Sequence, residues 1–227
     1  EYVVTPDAYE FIKKDIYPCL KDIISTYKKG TDFSIYMDTD GLIHAGSGLD
    51  QVTWMDVRVG DWVATPRHGK PVEINALWYN ALCTMDMLQA KFGDNDDSYR
   101  QLASLVKASF NKRFWNENTG CLYDVVDEDD DTIRPNQIYA VSLPFTMLDR
   151  EREKAIVDTV MDKLYVGCGL RSLDPDHKDY HPIYIGSLSK RDHAYHQGTA
   201  WGFLLGGFIS AYVKVNGRTK ETALCAD

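Results

Sequence analysis

The sequence predicts an all-α fold in which two kinds of helix alternate along the chain. Segments 71–92, 137–145 and 197–215 are apolar on almost every side, and segments 96–115 and 149–164 between them have only one apolar face. A helix without a polar face is buried, whereas a helix with one apolar face lies between core and solvent. This order predicts an α/α toroid, in which outer helices wall an inner ring, with short β-hairpins in the connections.

The composition is that of a globular domain and argues against several partners. The chain has 227 residues, of which 44% are hydrophobic and 26% charged, and its net charge is −9. This charge argues against a nucleic-acid backbone or an anionic membrane surface as the partner. No phosphate loop or dinucleotide fingerprint is present, so we expect no cofactor. The sequence leaves the oligomeric state open.

The cysteines favour a reducing compartment. They are widely spaced, odd in number and lack metal-site spacing, which predicts free buried thiols and a cytoplasmic protein. The five are Cys19, Cys83, Cys121, Cys168 and Cys225. The start, EYVVTPDAYEF, lacks Met and reads as the middle of a longer protein.

The first half of the chain predicts a helix, a hairpin, a long loop and two more helices. Thr5 caps a helix that ends near Gly30 and is kinked at Pro18. Two short β-like runs, 33–37 and 42–44, flank the turn DTDG. A loop of about two dozen residues follows, and loops of this length are more often functional than idle. Helices are then expected over 71–92 and 96–115.

The second half predicts a strand at 121–126, a solvated acidic loop, and three more helices. The acidic run 127–131 lacks the spaced acceptors and glycine of a calcium loop, so we expect no metal there. Segment 169–191 is expected to be irregular. The glycine-rich segment 197–215 is nineteen residues long, but within a soluble pattern it is better interpreted as a central helix than as a membrane span.

Three segments that precede the apolar helices should converge on one pocket. They are 54–73, 134–137 and 191–197, and all three are rich in side chains that form hydrogen bonds with hydroxyl groups. Aromatic rings such as Trp54 and Trp201 can stack on sugar rings. The candidate binding residues are Trp54, Arg58, Arg67, Lys70, Asp192, His196, Gln197 and Trp201.

Glycoside hydrolysis needs a protonated carboxyl at the leaving oxygen and a second carboxylate across the sugar. Asp56 is the candidate acid, because the neighbouring apolar side chains could raise its pKa. The alternative is a simple ion pair between Asp56 and Arg58. Glu73 is the second candidate carboxylate, although capping a helix or pairing with Arg67 or Lys70 would explain it equally well.

Several motifs together resemble a known family. The segments QVTWMDVRVGDWVATPRHGKPVEINALWYNAL, RPNQIYAVSLP, GLRSLDPD and RDHAYHQGTAW occur in this order. They are similar to the C-terminal amylo-α-1,6-glucosidase domain of glycogen debranching enzymes, in its bacterial and archaeal form. The resemblance covers nearly the whole chain. It implies an (α/α)6 toroid that hydrolyses single α-1,6-linked glucose units at branch points of glycogen or limit dextrin, with inversion.

The resemblance also implies roles for individual residues. The Asp of the TWMD block is the general acid, which is Asp56 here, and Trp54, Arg67, Glu73, Gln197 and Trp201 belong to the substrate pocket. The family block HQGTVW reads HQGTAW in this chain, a change that we expect to be harmless.

The resemblance further implies that residues 1–227 are part of a single toroid domain. In the family the general base lies after the last apolar helix, so we expect the base outside this chain and little turnover by these residues alone. Two alternatives remain: a non-catalytic glucan-binding fragment, and another toroidal glycosidase, such as a trehalase-like enzyme.

Overall fold

The computed structural model describes residues 5–94, 96–219 and 222, and this part of the chain is mostly helical. Its α-helices are α1 Pro6–Phe11, α2 Tyr17–Lys29, α3 Val72–Phe92, α4 Ser98–Arg113, α5 Tyr139–Ser142, α6 Arg150–Lys163, α7 Leu188–Tyr195 and α8 Leu205–Asn216. Its strands have two residues each and connect the helices: β1 Tyr36–Met37, β2 Ile43–His44, β3 Arg58–Val59, β4 Trp62–Val63, β5 Lys70–Pro71, β6 Trp115–Asn116, β7 Cys121–Leu122, β8 Val125–Val126, β9 Leu170–Arg171 and β10 Ala200–Trp201. A mostly helical fold with short strands in the connections is thus confirmed.

The N-terminal helix is interrupted near Pro18, where the sequence predicts a kink. The Thr5 hydroxyl accepts a hydrogen bond from the Ala8 amide, as the cap prediction requires. Between α1 and α2 the chain forms a π-helical turn, Ile12–Ile16, which ends two residues before Pro18. Because proline has no amide hydrogen, the regular hydrogen-bond pattern cannot continue through it, and a wider turn accommodates the gap. Helix α2 ends at Lys29, and Gly30 directly after it has a φ of +98°.

The connections contain antiparallel strand pairs. The predicted hairpin is formed by β1 and β2, with Tyr36 opposite His44. The long loop contains its own hairpin, β3–β4, which begins two residues after Asp56. Strand β5 pairs with β8, so that the end of this loop lies beside the segment around Asp124. Strand β9 pairs with β10, and β6 with β7.

Contacts between helices follow the predicted alternation. Helix α3 packs against α4 and α5, α5 packs against α8, and α6 packs against α5 and α8. Nine of the 21 residues of α3 are buried, and Leu77 and Met87 are exposed, so the prediction that this helix is buried on almost every side is wrong for the described residues. No helix in the described part of the chain is long and apolar enough to cross a membrane.

Four expectations need correction. The last helix begins at Leu205 rather than near 197, because Ala200–Trp201 pairs with β9 and Gly202–Leu204 forms a 3-10 turn. Segment 121–126 is two strands in different sheets. The segment expected to be irregular ends in α7.

The fourth correction concerns the cysteines. Of the four described, only Cys121 is buried; Cys83 is half-buried, and Cys19 and Cys168 are exposed. All four are free thiols. Cys225 lies outside the described residues.

Candidate active site

Two side chains anchor the loop immediately before Asp56. The indole Nε1 of Trp54 donates a 2.7 Å hydrogen bond to Oδ1 of Asn136. Met55 is buried, and its sulfur lies 3.7 Å from Nδ2 of Asn136 and 3.8 Å from Nη1 of Arg134. Since both anchors come from the Arg134–Gln137 segment, the structure brings two of the three predicted segments together.

Asp56 itself is exposed to solvent. Among the described residues its carboxylate has no hydrogen-bond or ion-pair partner. The alternative of a pair with Arg58 is not formed, because that guanidinium donates to the backbone carbonyls of Gly60 and Leu49. Asp56 and Arg58 border an open depression that Phe33 also lines. A carboxyl group in this position is free to approach a ligand.

Next to the anchored loop lies a group of rings that we call the aromatic cluster. Its members are Trp54, Tyr195, His196, Trp201 and Phe203. Trp54 contacts His196, Trp201 and Phe203 edge to face, with ring centroids 5.1–5.6 Å apart. Phe203 is 56% exposed, so the cluster presents an apolar surface to solvent. Exposed rings of this kind can stack on the faces of sugars.

His196 is buried and neutral within this cluster. Its side chain stacks on Trp201 and is 1% exposed, and its Nδ1 has no hydrogen-bond partner among the described residues. Burial lowers the pKa of His196 to about 4, and the charges of Arg134 and Arg67 act in the same direction. The ring is therefore uncharged at pH 7.

Beneath the loop, Arg67 holds two buried carboxylates. Its Nη1 and Nη2 bind the two oxygens of Glu73 at 2.5 and 2.6 Å, and its Nε binds Oδ2 of Asp124 at 2.6 Å. Burial alone would lower the pKa of Arg67, but Asp124 and Glu73 raise it above its usual value. The alternative interpretation of Glu73, a pair with Arg67, is therefore the arrangement observed.

Arg134 connects this layer to the third predicted segment. Its Nη atoms donate to the carbonyls of Ser172 and His196 and to Oε1 of Gln197, at 2.8–3.0 Å. Its Nε lies 3.9 Å from Asp124 and makes no hydrogen bond within the described residues. Burial lowers the pKa of Arg134. Gln197 also donates to the carbonyl of Ala64, on the long loop.

Lys70 belongs to a separate ionic group. It is 2% exposed, and its Nζ lies 2.8 Å from Asp38, 2.9 Å from Asp40 and 3.8 Å from Asp127. Burial lowers the pKa of Lys70, but the hydrogen bonds to Asp38 and Asp40 raise it above its usual value. Arg67, Lys70 and Glu73 are thus buried, and each is paired with an opposite charge, whereas Asp56 is exposed.

The acidic run contributes to the same group through Asp127, which also binds Arg113. Asp192, another predicted binding residue, lies half-buried on α7 and has no polar partner in the described part of the chain. Within that part, no three His, Cys, Asp or Glu side chains are arranged to hold a metal ion.

Three residues at the site were not singled out from the sequence. Asp124 is a buried carboxylate within the apolar run CLYDVV, and an acidic residue in such a run is a signal that could have identified it. Asn136 lies in a segment that was expected to converge on the pocket. Phe203 gives no comparable signal, because an apolar ring in an apolar segment predicts burial.

Comparison of the sequence with known proteins identifies the family of this chain. The sequence profile described as amylo-alpha-1,6-glucosidase matches residues 1–226 of the 227. The chain belongs to the amylo-α-1,6-glucosidase family. The glycogen debranching enzyme of Saccharomyces cerevisiae is 29% identical to this family member over 233 positions, which cover 81% of this chain. The chain spans 15% of the length of that curated relative.

Solved glycoside hydrolases share the fold of this amylo-α-1,6-glucosidase family member. The GH63 mannosylglycerate hydrolase from Thermus thermophilus superposes with a TM-score of 0.52 at 13% identity, over 69% of this chain and 34% of the hydrolase. The GH78 family rhamnosidase of Bacillus sp. GL1 gives a TM-score of 0.51 at 19% identity, over 70% of this chain and 16% of the rhamnosidase. At 13% and 19% identity, the similarity to these two enzymes is limited to the fold.

Proposed function

We propose that this chain is part of an inverting glucosidase that removes α-1,6-linked glucose from branched α-glucans, with Asp56 as the general acid. The observation that carries the proposal is the environment of Asp56. Its carboxyl is exposed and unpartnered among the described residues, whereas Trp54 and Met55 before it are anchored to buried side chains. A rigid support under a free carboxyl suits a group that must meet a bound substrate.

The proposed architecture is the inner and outer helix pairs of an α/α toroid. The contacts of α3 with α5 and of α5 with α8 support an inner series, and α4 and α6 pack against it. In this arrangement Trp54, the segment around Asn136 and the residues before α8 lie at one end of the inner helices. The membership of the amylo-α-1,6-glucosidase family and the glycogen debranching enzyme relative support a branched glucan as substrate.

In the proposed reaction the Asp56 carboxyl gives its proton to the glycosidic oxygen as the bond from the anomeric carbon to that oxygen breaks. A water molecule attacks the opposite face of the sugar and loses its proton to a second carboxylate. We do not assign this base to Glu73, because both Glu73 oxygens are already bound to Arg67 in a buried pair.

The other candidate residues divide into two groups. We propose that Trp54, Trp201 and Phe203 contact the sugar, since Phe203 is exposed and the half-buried rings of Trp54 and Trp201 pack against it. Arg58, which borders the depression next to Asp56, and Asp192 remain candidates for binding sugar hydroxyls.

The buried group supports the site instead of touching the ligand. We propose this role for Arg67, Lys70, Glu73 and His196, since each is 1–3% exposed. Gln197 joins them through its bonds to Arg134 and Ala64.

The test compares Asp56→Asn with Asp61→Asn, a matched change at an exposed aspartate in the same loop. Both variants are made in the full-length gene product that carries this sequence, and release of glucose from a glucosyl-branched limit dextrin is measured. We expect Asp56→Asn to lower kcat by roughly 10²–10⁴-fold and Asp61→Asn to leave kcat unchanged. Equal activity of the two variants would refute the assignment of the acid.

A non-catalytic glucan-binding role is the second candidate, and the exposed ring of Phe203 in the aromatic cluster favours it. Affinity electrophoresis in gels that contain glycogen separates the two functions. Retention of both wild type and Asp56→Asn, without glucose release by either, supports binding alone. A third possibility, a trehalase-like glycosidase, predicts release of glucose from trehalose rather than from the branched dextrin.

A further inference from the structure

Asp124 lies between two of the three segments of the site, and Arg134, beside it, connects to the third. Asp124 is 2% exposed, and its Oδ2 accepts from Nε of Arg67 while its Oδ1 accepts a 2.8 Å hydrogen bond from Nδ2 of Asn136. Its backbone carbonyl accepts from the amide of Val72, at the start of α3. Through Arg67 it is connected to Glu73, and Arg134 lies on its other side.

The charge of Asp124 determines which way the Asn136 amide faces. An ionised carboxylate can only accept hydrogen bonds, so Asn136 must direct its NH2 group toward Asp124. The amide oxygen is then left for the other neighbour, and it accepts the indole N–H of Trp54 at 2.7 Å. The indole has no acceptor atom, so the opposite amide orientation would break both hydrogen bonds.

The four buried charges at this point balance. Arg67 and Arg134 are two cations, and Glu73 and Asp124 are two anions. Arg67 occupies both oxygens of Glu73 with its Nη atoms, which leaves Asp124 as the carboxylate that faces Asn136. The Trp54 indole is therefore connected by two successive hydrogen bonds, through Asn136, to the buried ion pair of Asp124 and Arg67.

We propose that Asp124 is a positioning residue of the active site, whose carboxylate orients the Asn136 amide and, through it, the Trp54 indole and the loop that carries Asp56. The proposal rests on the proposed role of Asp56 as the general acid. Asp124 does not touch the substrate. Its effect is on the placement of the acid, and a misplacement of about 1 Å can cost roughly 10²-fold in rate.

The decisive variant is Asp124→Asn, which keeps the shape of the side chain and removes its charge. The new amide can accept from Arg67 or from Asn136 with its one oxygen, but not from both without turning its NH2 toward a donor. We expect kcat for the branched dextrin to fall roughly 10–100-fold, because a misplaced acid weakens the transition state. KM should rise as well, since Trp54, which we propose contacts the sugar, loses its orientation.

An NMR measurement follows the hydrogen bond without relying on activity. In the ¹⁵N-labelled full-length gene product, the Trp54 indole N–H resonance is identified by its absence in Trp54→Phe. We expect this resonance to shift upfield and to exchange faster with solvent in Asp124→Asn, since the acceptor at Asn136 is lost. The matched control is Glu153→Gln, which removes the charge of another buried carboxylate; Glu153 pairs with the half-exposed Lys214 at 2.6 Å, between α6 and α8. It should change neither the Trp54 signal nor kcat.

Asn136→Leu breaks the same path from the other side and provides the readouts if Asp124→Asn does not fold. A shifted Trp54 signal with lowered kcat supports the proposal. An unshifted signal, a change in KM alone, or a shifted signal with unchanged kcat would overturn it. A separate assay of Asp56→Asn distinguishes failure of this proposal from failure of the proposed function. If that variant retains full activity, the proposed function fails, and the positioning role fails with it.

Discussion

The buried pairing of Arg67 predicts a large and pH-dependent loss of stability when that residue is replaced. Arg67→Leu leaves Glu73 without its cation and Asp124 with only Arg134, at 3.9 Å, and both carboxylate side chains are at most 4% exposed. Removing one partner of a buried ion pair costs about 3–5 kcal/mol. For a chain of this size we therefore expect the melting temperature to fall by about 6–20 °C.

The loss should shrink in acid. A buried carboxylate that has lost its cation has a raised pKa, so the folded variant binds protons more readily than the unfolded chain does. The stability of Arg67→Leu relative to wild type should therefore rise as the pH falls from 7 toward 5. The stability of Arg67→Lys should lie between those of Arg67→Leu and wild type, because an ammonium group cannot bind both carboxylates through a planar fork.

Chemical unfolding in urea at pH 7 and pH 5 measures these differences. The matched control is Arg113→Leu, since Arg113 also joins two carboxylates, Asp40 and Asp127, but is 30% exposed. Pairs this accessible contribute about 0–1 kcal/mol. Equal losses for Arg67→Leu and Arg113→Leu, or a gap to wild type that is the same at both pH values, would refute the reasoning.

Three further predictions concern the aromatic cluster and its surroundings. His196 has a folded pKa of about 4, below its unfolded value, so its contribution to stability is present above pH 6.5 and is lost toward pH 4. We expect the free energy of unfolding to fall by about 2 kcal/mol between pH 7 and pH 5. In urea titrations His196→Gln should remove this pH dependence. Gly198→Ala should lower the free energy of unfolding by about 2 kcal/mol or more, because φ is +144° and the added Cβ would lie 2.5 Å from the His181 carbonyl oxygen. Gly206→Ala in α8, where the added Cβ meets open space, should raise it by about 0.5 kcal/mol. Thermal melts compare the two variants. Phe203→Ala should weaken retention in glycogen gels by roughly 2–10-fold.

Each of these has a control and a contradicting result. His193, an exposed histidine, is the control for His196: a His193→Gln variant that removes the same pH dependence would contradict the assignment. If Gly198→Ala melts no lower than Gly206→Ala, the backbone argument fails. Ile23 is an exposed apolar residue on α2, and a loss of glycogen retention by Ile23→Ala equal to that of Phe203→Ala would show that the aromatic cluster has no special role.

The sequence predicted the helices with strong periodicity and missed the segments whose structure depends on distant contacts. The bounds of α3, α4 and α6 agree with the prediction within a few residues, because burial on a helix imposes a regular spacing of apolar residues. The start of α8 was misplaced, since pairing of Trp201 with β9 overrides a continuous apolar pattern. Helix α7 lies in a polar segment with no such pattern.

The same division applies to the candidate site. The convergence of Trp54, His196 and Trp201 was predicted and is observed as one aromatic cluster. The pattern could not distinguish a carboxylate that faces a ligand from one that neutralises a buried arginine, since Asp56 and Glu73 lie in the same polar segment. Only the three-dimensional arrangement shows that both oxygens of Glu73 are bound to Arg67 and that Asp56 has no polar partner among the described residues.

The role of Asp56 is tested most directly with a substrate that needs no acid. Fluoride leaves α-glucosyl fluoride without protonation, so a missing general acid should affect its hydrolysis little. We expect Asp56→Asn in the full-length gene product to hydrolyse α-glucosyl fluoride within about tenfold of wild type while its kcat for branched dextrin falls roughly 10²–10⁴-fold. Equal losses on the two substrates would contradict the assignment of Asp56 as the general acid.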